Sequence, residues 1–399
     1  MSDVRGLEEW KQSVAEHMPH LSKPQAVVLA MFSFGMVLAR SCGLTAVCGY
    51  LSQLLGVKFD TQRQRLRELL YEAEQKHGEK RLDLDPEGCF LPLLVWVLSL
   101  WEGKRLALAL DATTLGDRFT VLAVSILYRG CAIPVAWKIL PGNRKGKWRP
   151  EWLRLLDRIA PAVPSEMTVV VLADRGLYAR WLYRRIAHWG WHPFLRINVA
   201  GFFRPQGANS FCSFKSLVPC VGSRWSGRGT AFKSKGCSQQ CTLLGCWGEG
   251  HADPWLILTD LAPEQAEVGW YAMRAWIEHN FKITKRGGWQ WQRTRMEEPD
   301  RASRLWVVVA VATLWTVSVG GAADDALTGA AVSDLGEAMA AGKRTRKETR
   351  ARLISVFRHG LMQIMAALLR HEPLPQGRLV PEPWPGGEPE VGLATATPV

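Results

Sequence analysis

With 399 residues the chain can bury a large core, as one elaborated domain or two to three smaller ones, and it is long enough for an enzyme. Lys plus Arg number 50 against 37 Asp plus Glu, a net charge of +13 that favours a polyanionic partner such as nucleic acid or an anionic surface, although a soluble protein can be basic without one. Nine scattered Cys exclude the dense disulfide framework of a small secreted domain and favour a reducing compartment, while 19 Trp either fill a core or stack on exposed bases.

In chain order, MSDVRGLEEWKQS lacks the apolar core of a signal peptide. Residues 1–100 read as an N-terminal helical domain. Within it, LTAVCGYLSQLLGVKFDTQRQRLRELL sets a short helix, a Gly-containing break and a basic helix in helix-turn-helix order, a pattern an ordinary helical bundle also gives. The pattern changes at Arg105. LALALDATTL, FTVLAVSILYRG and CAIPVAWKIL are three apolar, β-branched runs separated by turns. WRPEWLRLLDRIAPAV then has helical spacing, TVVVLADRG reads as a buried strand, LYARWLYRRIAHWG as a helix and WHPFLRIN as a strand. This order predicts an α/β fold with a ribonuclease H-like core over 101–320. A Gly-, Ser- and Cys-rich stretch at about 199–250 reads as a β-rich insertion set apart from the core, after which DPWLILTDL resumes as a strand.

Leu305 to Ala323 carries no charge over nineteen residues, the lower end of a membrane-spanning length. No second such segment and no flanking anchor pattern accompanies it, so it is read as a central buried helix, with no membrane partner. Residues 321–371 form a C-terminal helical region, including KRTRKETRARLISVFRHGLMQIMAALLR, suited to dimerisation or DNA contact. The tail 372–399 holds seven prolines and is expected to be disordered.

Three carboxylates stand out. Asp111 closes LALALD and Asp174 closes VVVLAD, each after an apolar run, which puts both at the carboxyl ends of strands, where open α/β sheets place their sites. Asp174, before Arg-Gly, is also a plausible turn or cap residue. In WYAMRAWIEHNFKITKRGG, a helix of about 100° per residue sets Tyr271, Arg274, Glu278, Lys282 and Lys285 within an arc of about 80°, with the apolar residues opposite. A solvated Glu–cation ladder explains those charges. It does not explain two buried aspartates in need of compensation. Together the three acids supply hard oxygen ligands for two Mg²⁺ ions, for which Mn²⁺ can substitute, in phosphodiester chemistry.

ALDATTL, VVLADRGLYARWLYRRI and the spacing Tyr271-x2-Arg274-x3-Glu278-x6-Lys285 resemble the DDE transposases of bacterial insertion sequences that carry the Tyr-Arg-Glu-Lys signature, and RMEEPD (295–300) is similar to the segment after their catalytic helix. The resemblance covers about residues 20–320. It implies a ribonuclease H-like core interrupted by a β insertion, with Asp111, Asp174 and Glu278 as catalytic metal ligands. It further implies contacts from Tyr271, Arg274, Lys282 and Lys285 to the transposon-end backbone, and stacking of a flipped base on Trp255; a strand-edge core role is the alternative for that Trp. The expected activity is metal-dependent cleavage of terminal inverted repeats and transfer of the 3′-hydroxyl to target DNA, by a homodimer in the bacterial cytoplasm. A ribonuclease H-like nuclease without strand transfer and a non-catalytic DNA-binding regulator are the alternatives.

Basic segments that fit phosphate contact are NRKGKWR, with Arg144, Lys145 and Lys147, then SRWSGRG and 343–352. The cluster Cys237, Cys241, Cys246 lacks paired CxxC spacing, and structural zinc there stays an open reading.

Overall fold

The computed structural model describes residues 5–76, 82–142, 146, 148–340 and 354–386, leaving aside the side chains of 328–340. Five helices come first: α1 (Arg5–His17), α2 (Lys23–Ala39), α3 (Leu44–Leu55), α4 (Phe59–Leu69) and α5 (Phe90–Ser99). A capping box between Ser22 and Gln25 starts α2, and Arg40, at φ 47°, ends it in the left-handed conformation. Gly56, at φ 63°, ends α3 in the same way and turns the chain into α4. Two helices thus follow one another across a glycine turn, and Lys58, Arg63, Arg65 and Arg67 are exposed along α4.

β1 (Arg105–Leu115), β2 (Phe119–Tyr128) and β3 (Cys131–Pro141) form an antiparallel meander. α6 (Arg149–Ile159) leads to β4 (Thr168–Ala173), parallel to β1, and α7 (Arg180–His188) leads to β5 (His192–Arg196), parallel to β4. Every residue of β2 is buried, so the sheet is covered on both faces there.

The stretch expected to be an insertion set apart from the core is instead continuous with this sheet. β6 (Phe202–Pro205), β7 (Cys212–Ser213), the short α8 (Phe214–Leu217), β8 (Arg224–Ala231), β9 (Gln239–Cys246) and β10 (Trp255–Thr259) complete ten strands in the order β3-β2-β1-β4-β5-β10-β9-β8-β6-β7. β10 makes the join, antiparallel to β5 on one edge and to β9 on the other. Phe203, Leu243 and Leu244 belong to the common core. The glycines that gave this region its loop-like texture are needed for close packing: a Cβ at Gly229 would lie 2.2 Å from the Arg204 carbonyl oxygen, and one at Gly245 would lie 2.5 Å from Val218.

After α9 (Ala275–Lys282), helix α10 (Pro299–Ala340) runs unbroken across the expected boundary at 320/321 and packs against β3, α2 and α11 (Val356–Leu369). It is long and apolar enough to cross a membrane, but 94% of its most apolar stretch is buried inside the protein. Its apolar surface thus meets protein, as a core helix requires. Many of the Trp residues serve the same core: Trp137, Trp152, Trp289, Trp291 and Trp306 are fully buried, and Trp10 stacks on Trp315 with ring centroids 4.1 Å apart. The basic segment 343–352 lies outside the described residues, and α11 begins at Val356, capped by Ser355. The expectation of a disordered tail is corrected for 372–386: this stretch is held by backbone hydrogen bonds, including Arg378 N–H to Ser318 O at 3.0 Å and Leu379 N–H to Leu100 O at 2.8 Å. Proline forbade helix there without forbidding docking.

α10 and α11 cross at glycines. A Cβ on Gly360 would stand 1.7 Å from the Thr316 carbonyl oxygen, and one on Gly320 would stand 1.9 Å from that of Val356. Gly360→Ala is expected to cost about 1–3 kcal/mol or more by forcing the helices apart. Gly49→Ala, where a Cβ meets nothing within 4 Å, should be neutral or stabilising by up to about 1 kcal/mol. Thermal unfolding of the two variants checks this, and equal melting temperatures would refute the close crossing.

Candidate active site

Residues 268–287 do not form the uniform α-helix that the sequence suggests. Val268–Arg274 is a 3-10 helix, α9 follows, and Ile283–Gly287 is a π-helical turn. The apolar residues explain the tight start: Val268, Trp270, Tyr271 and Met273 are all buried, a set that one α-helical stripe cannot bury together. Tyr271 therefore leaves the expected polar ridge. It is 5% exposed, packs edge-on against Trp255 at 5.1 Å and hydrogen-bonds with Arg196, and burial pushes its hydroxyl up to about 12. Trp255 opens β10 at 8% exposure, the strand-edge core position that was the alternative for it. The wider π turn delivers Lys285, whose Nζ donates to Thr113 Oγ1 at 2.6 Å. Burial, with Arg286 beside it, holds the Lys285 ammonium below its usual range, while Asp111 acts in the opposite direction.

The acids reach this segment from neighbouring strands. Asp111 does not end β1, which continues to Leu115 against β2; it stands where the parallel pairing with β4 stops, at Leu110 opposite Ala173. Asp174 is the next residue after β4. Parallel register thus sets the two aspartates side by side at one sheet edge. Their oxygens divide the work. Asp111 Oδ1 accepts the Ala112 N–H at 2.9 Å, and Oδ2 accepts from Arg274 Nη2 at 3.0 Å. Asp174 Oδ1 accepts the N–H groups of Gly176 at 2.9 Å and Leu177 at 3.2 Å, so the turn reading holds for that atom, while Oδ2 stands 3.6 Å from the same Arg274 Nη2. Glu278 Oε1, one helical turn beyond Arg274, takes its Nη1. Arg274 binds all three acids.

Burial pushes the Asp111 carboxyl up to about 6, Arg274 and the Ala112 N–H oppose the rise, and Asp174 and Glu278 add to it. The donor set suits a divalent ion: three carboxylates offer hard oxygens, and the most buried of them is short of positive charge. As they stand, the acids meet at a guanidinium. Among the described residues no three His, Cys, Asp or Glu side chains are grouped to hold an ion in common, the cysteine cluster included. Cys237 is exposed, while Cys241 and Cys246 are buried five residues apart on β9, hence on opposite faces.

A cleft of about 500 Å³ opens beside the acids, lined by Asp111, Ala112, Thr113, Arg274, Glu278, Phe281, Lys282, Lys285 and Arg286. Exposed Lys282 stands among its lining residues; Asp174 is not among them and reaches the site through Arg274. Arg144, Lys145 and Lys147 lie outside the described residues. Thr113, Arg196 and Arg286 were not singled out from sequence. Arg286 adjoins a selected Lys and Thr113 lies two residues from Asp111, whereas nothing local marks Arg196, whose role comes from its contact with Tyr271.

Residues 103–315, more than half of the chain, match the family model of the transposase DDE domain. No curated protein matches the chain. Among solved structures, a cryo-EM structure of the piggyBac transposase synaptic complex with hairpin DNA aligns over 92% of this chain and 80% of that one, at 10% identity and a TM-score of 0.39. That likeness is too distant to bear on individual residues.

The raised Asp111 carboxyl has a consequence for stability. A group that holds its proton more tightly in the folded state stabilises the fold fully below about pH 4, and this contribution is lost as the pH rises through about 6. Asp111→Asn cannot ionise, so relative to wild type it should gain stability between about pH 4 and pH 6, on the order of 2 kcal/mol. Paired thermal melts over that range test it; parallel curves for the two proteins would contradict the assignment.

Proposed function

We propose that this chain, which belongs to the transposase DDE domain family, is a cut-and-paste DNA transposase with a ribonuclease H-like core. The convergence of Asp111, Asp174 and Glu278 on Arg274, beside a cleft lined by cations, carries the reading. The strand order β3-β2-β1-β4-β5, with three antiparallel strands followed by two parallel ones, supports the core assignment. Family members are generally dependent on a divalent metal. In this reading the three acids hold two Mg²⁺ ions, or Mn²⁺, which when bound activate a water or a 3′-hydroxyl and stabilise the leaving oxygen.

The chain's own residues do the rest. Lys282, Lys285 and Arg286 bring cations to the cleft that takes the DNA backbone, Lys285 being oriented by Thr113. Arg274 compensates the acids now and is placed to bind phosphate when another cation does so. Tyr271, held by Arg196 and Trp255, fixes the lead-in to Arg274. Trp255 serves a flipped base only if Tyr271 shifts from its face or the base meets its remaining edge, because the ring is 8% exposed. We assign recognition of the terminal inverted repeats to α3 and α4, through the exposed cations of α4, and pairing of two ends to a homodimer in the bacterial cytoplasm. A non-transposing nuclease remains the competing enzyme, separated by strand transfer.

The test uses DNA carrying the element's own terminal repeats. Wild type should nick the ends with Mg²⁺ or Mn²⁺ and join precut ends to a plasmid. Asp111→Ala, Asp174→Ala and Glu278→Ala should each lower cleavage on the order of 10³-fold while still binding the ends. Cleavage retained by all three would overturn the site, and nicking without joined product would assign the nuclease instead.

A further inference from the structure

The chain after α11 does more than close the fold. His371, at φ 56°, turns it out of the helix, and from there it runs as an extended strap across several elements. Leu374 N–H donates to Glu9 Oε2 on α1 at 2.9 Å. Gly377 lies so close to α10 that a Cβ there would stand 2.2 Å from Ser318 Oγ. Leu379 is fully buried and bridges to Trp101 just ahead of β1, exchanging backbone bonds of 2.8 Å with Leu100 and Glu102. Arg378 pairs with Glu102, and Glu382 reaches Arg129 at 3.8 Å.

The strap then arrives at the lead-in to the candidate site. Trp384 covers the Arg105 guanidinium, 3.7 Å from its ring centroid, and meets Trp270 at 4.8 Å with the rings 71° apart. Arg105 is itself 4.9 Å from the Trp270 ring. Beyond it, Gly386 packs so near Glu267 that a Cβ would stand 2.6 Å from a carboxylate oxygen. Pro383 and Pro385 flank the indole and restrict the backbone that presents it, so little conformational freedom is lost on docking.

Two site-bearing elements start at this clamp. Arg105 opens β1, which carries Asp111 six residues on, and Trp270 precedes Tyr271 in the 3-10 helix that ends at Arg274. We infer that the strap is a positioning element for the active site. Trp384, wedged against Arg105 and Trp270, fixes the 3-10 helix relative to β1 and so sets Arg274 among the acids. Its ring meets Arg105 and Trp270, and it acts through Trp270. The inference about placement rests on the structure alone, and only its catalytic consequence rests on the transposase reading.

Hydrogen exchange read by mass spectrometry on the full-length chain, without DNA, tests the placement. Trp384→Ala should raise exchange in peptides spanning 267–278 while β2 stays protected, Trp384→Phe should restore protection by keeping an aromatic face on Arg105, and Leu369→Ala, at a position 76% exposed, should change neither. Unchanged exchange at 267–278 would overturn the inference, as would a rise shared equally by β2, which marks general destabilisation. A cleavage assay then reads the consequence. Trp384→Ala should cut about tenfold more slowly or worse, with affinity for end DNA unchanged and activity recovered in Trp384→Phe; a wild-type rate would contradict the role. If the wild type itself fails to cut, the proposed function fails and the exchange result still decides the placement.

Discussion

One guanidinium organises the centre of this molecule. Arg274 is largely buried with the carboxylate of Asp111, half-buried Asp174 stands beside it, and Glu278 closes on it from the next helical turn. Asp111, the most buried of the three, has lost so much of its water that its charge needs a cation beside it. Their placement follows from the sheet, because β1 and β4 lie parallel and in register, and Asp111 and Asp174 come at the point where that pairing ends. The helix bearing Arg274 and Glu278 must then be carried to the same edge. The tight 3-10 start, the buried aromatics Trp270 and Tyr271 and the C-terminal strap all serve that placement.

Much of this was legible in the sequence because burial writes itself in periodicity. LALALD, VVVLAD and the largely apolar β2 read as internal strands, and the solitary acids that close the first two runs do come together, at Arg274. The spacing of Tyr271, Arg274, Glu278 and Lys285 likewise pointed to a segment that the fold brings beside Asp111 and Asp174. Its geometry was not legible. A helical wheel assumes one turn angle, whereas Trp270, Tyr271 and Met273 bury together only in a tighter helix, and Lys285 reaches Thr113 from a wider one. The contribution of Arg196 was invisible for the same reason, as a contact between distant segments.

Local texture also misled where tertiary packing decides. Glycines between 199 and 250 read as loop, yet Gly229 against the neighbouring strand and Gly245 against Val218 stand where there is no room for a Cβ. Prolines after 372 read as disorder, yet a segment without helix can still bury Leu379 and seat Trp384. The uncharged run in α10 has the composition of a membrane span, and only the protein packed around it shows that its partner is the sheet and its neighbouring helices. Composition specified that these residues needed covering; the fold supplied what covers them.

The central claim is that the acids gathered by Arg274 form one divalent-ion site at a DNA cleft. The most direct measurement is anomalous scattering from crystals of the chain bound to a terminal-repeat DNA end and soaked in Mn²⁺. Manganese density between Asp111, Asp174 and Glu278, with Arg274 turned to a phosphate, is the expected result. Manganese held elsewhere, with Arg274 still joined to the three acids in the DNA complex, would contradict it.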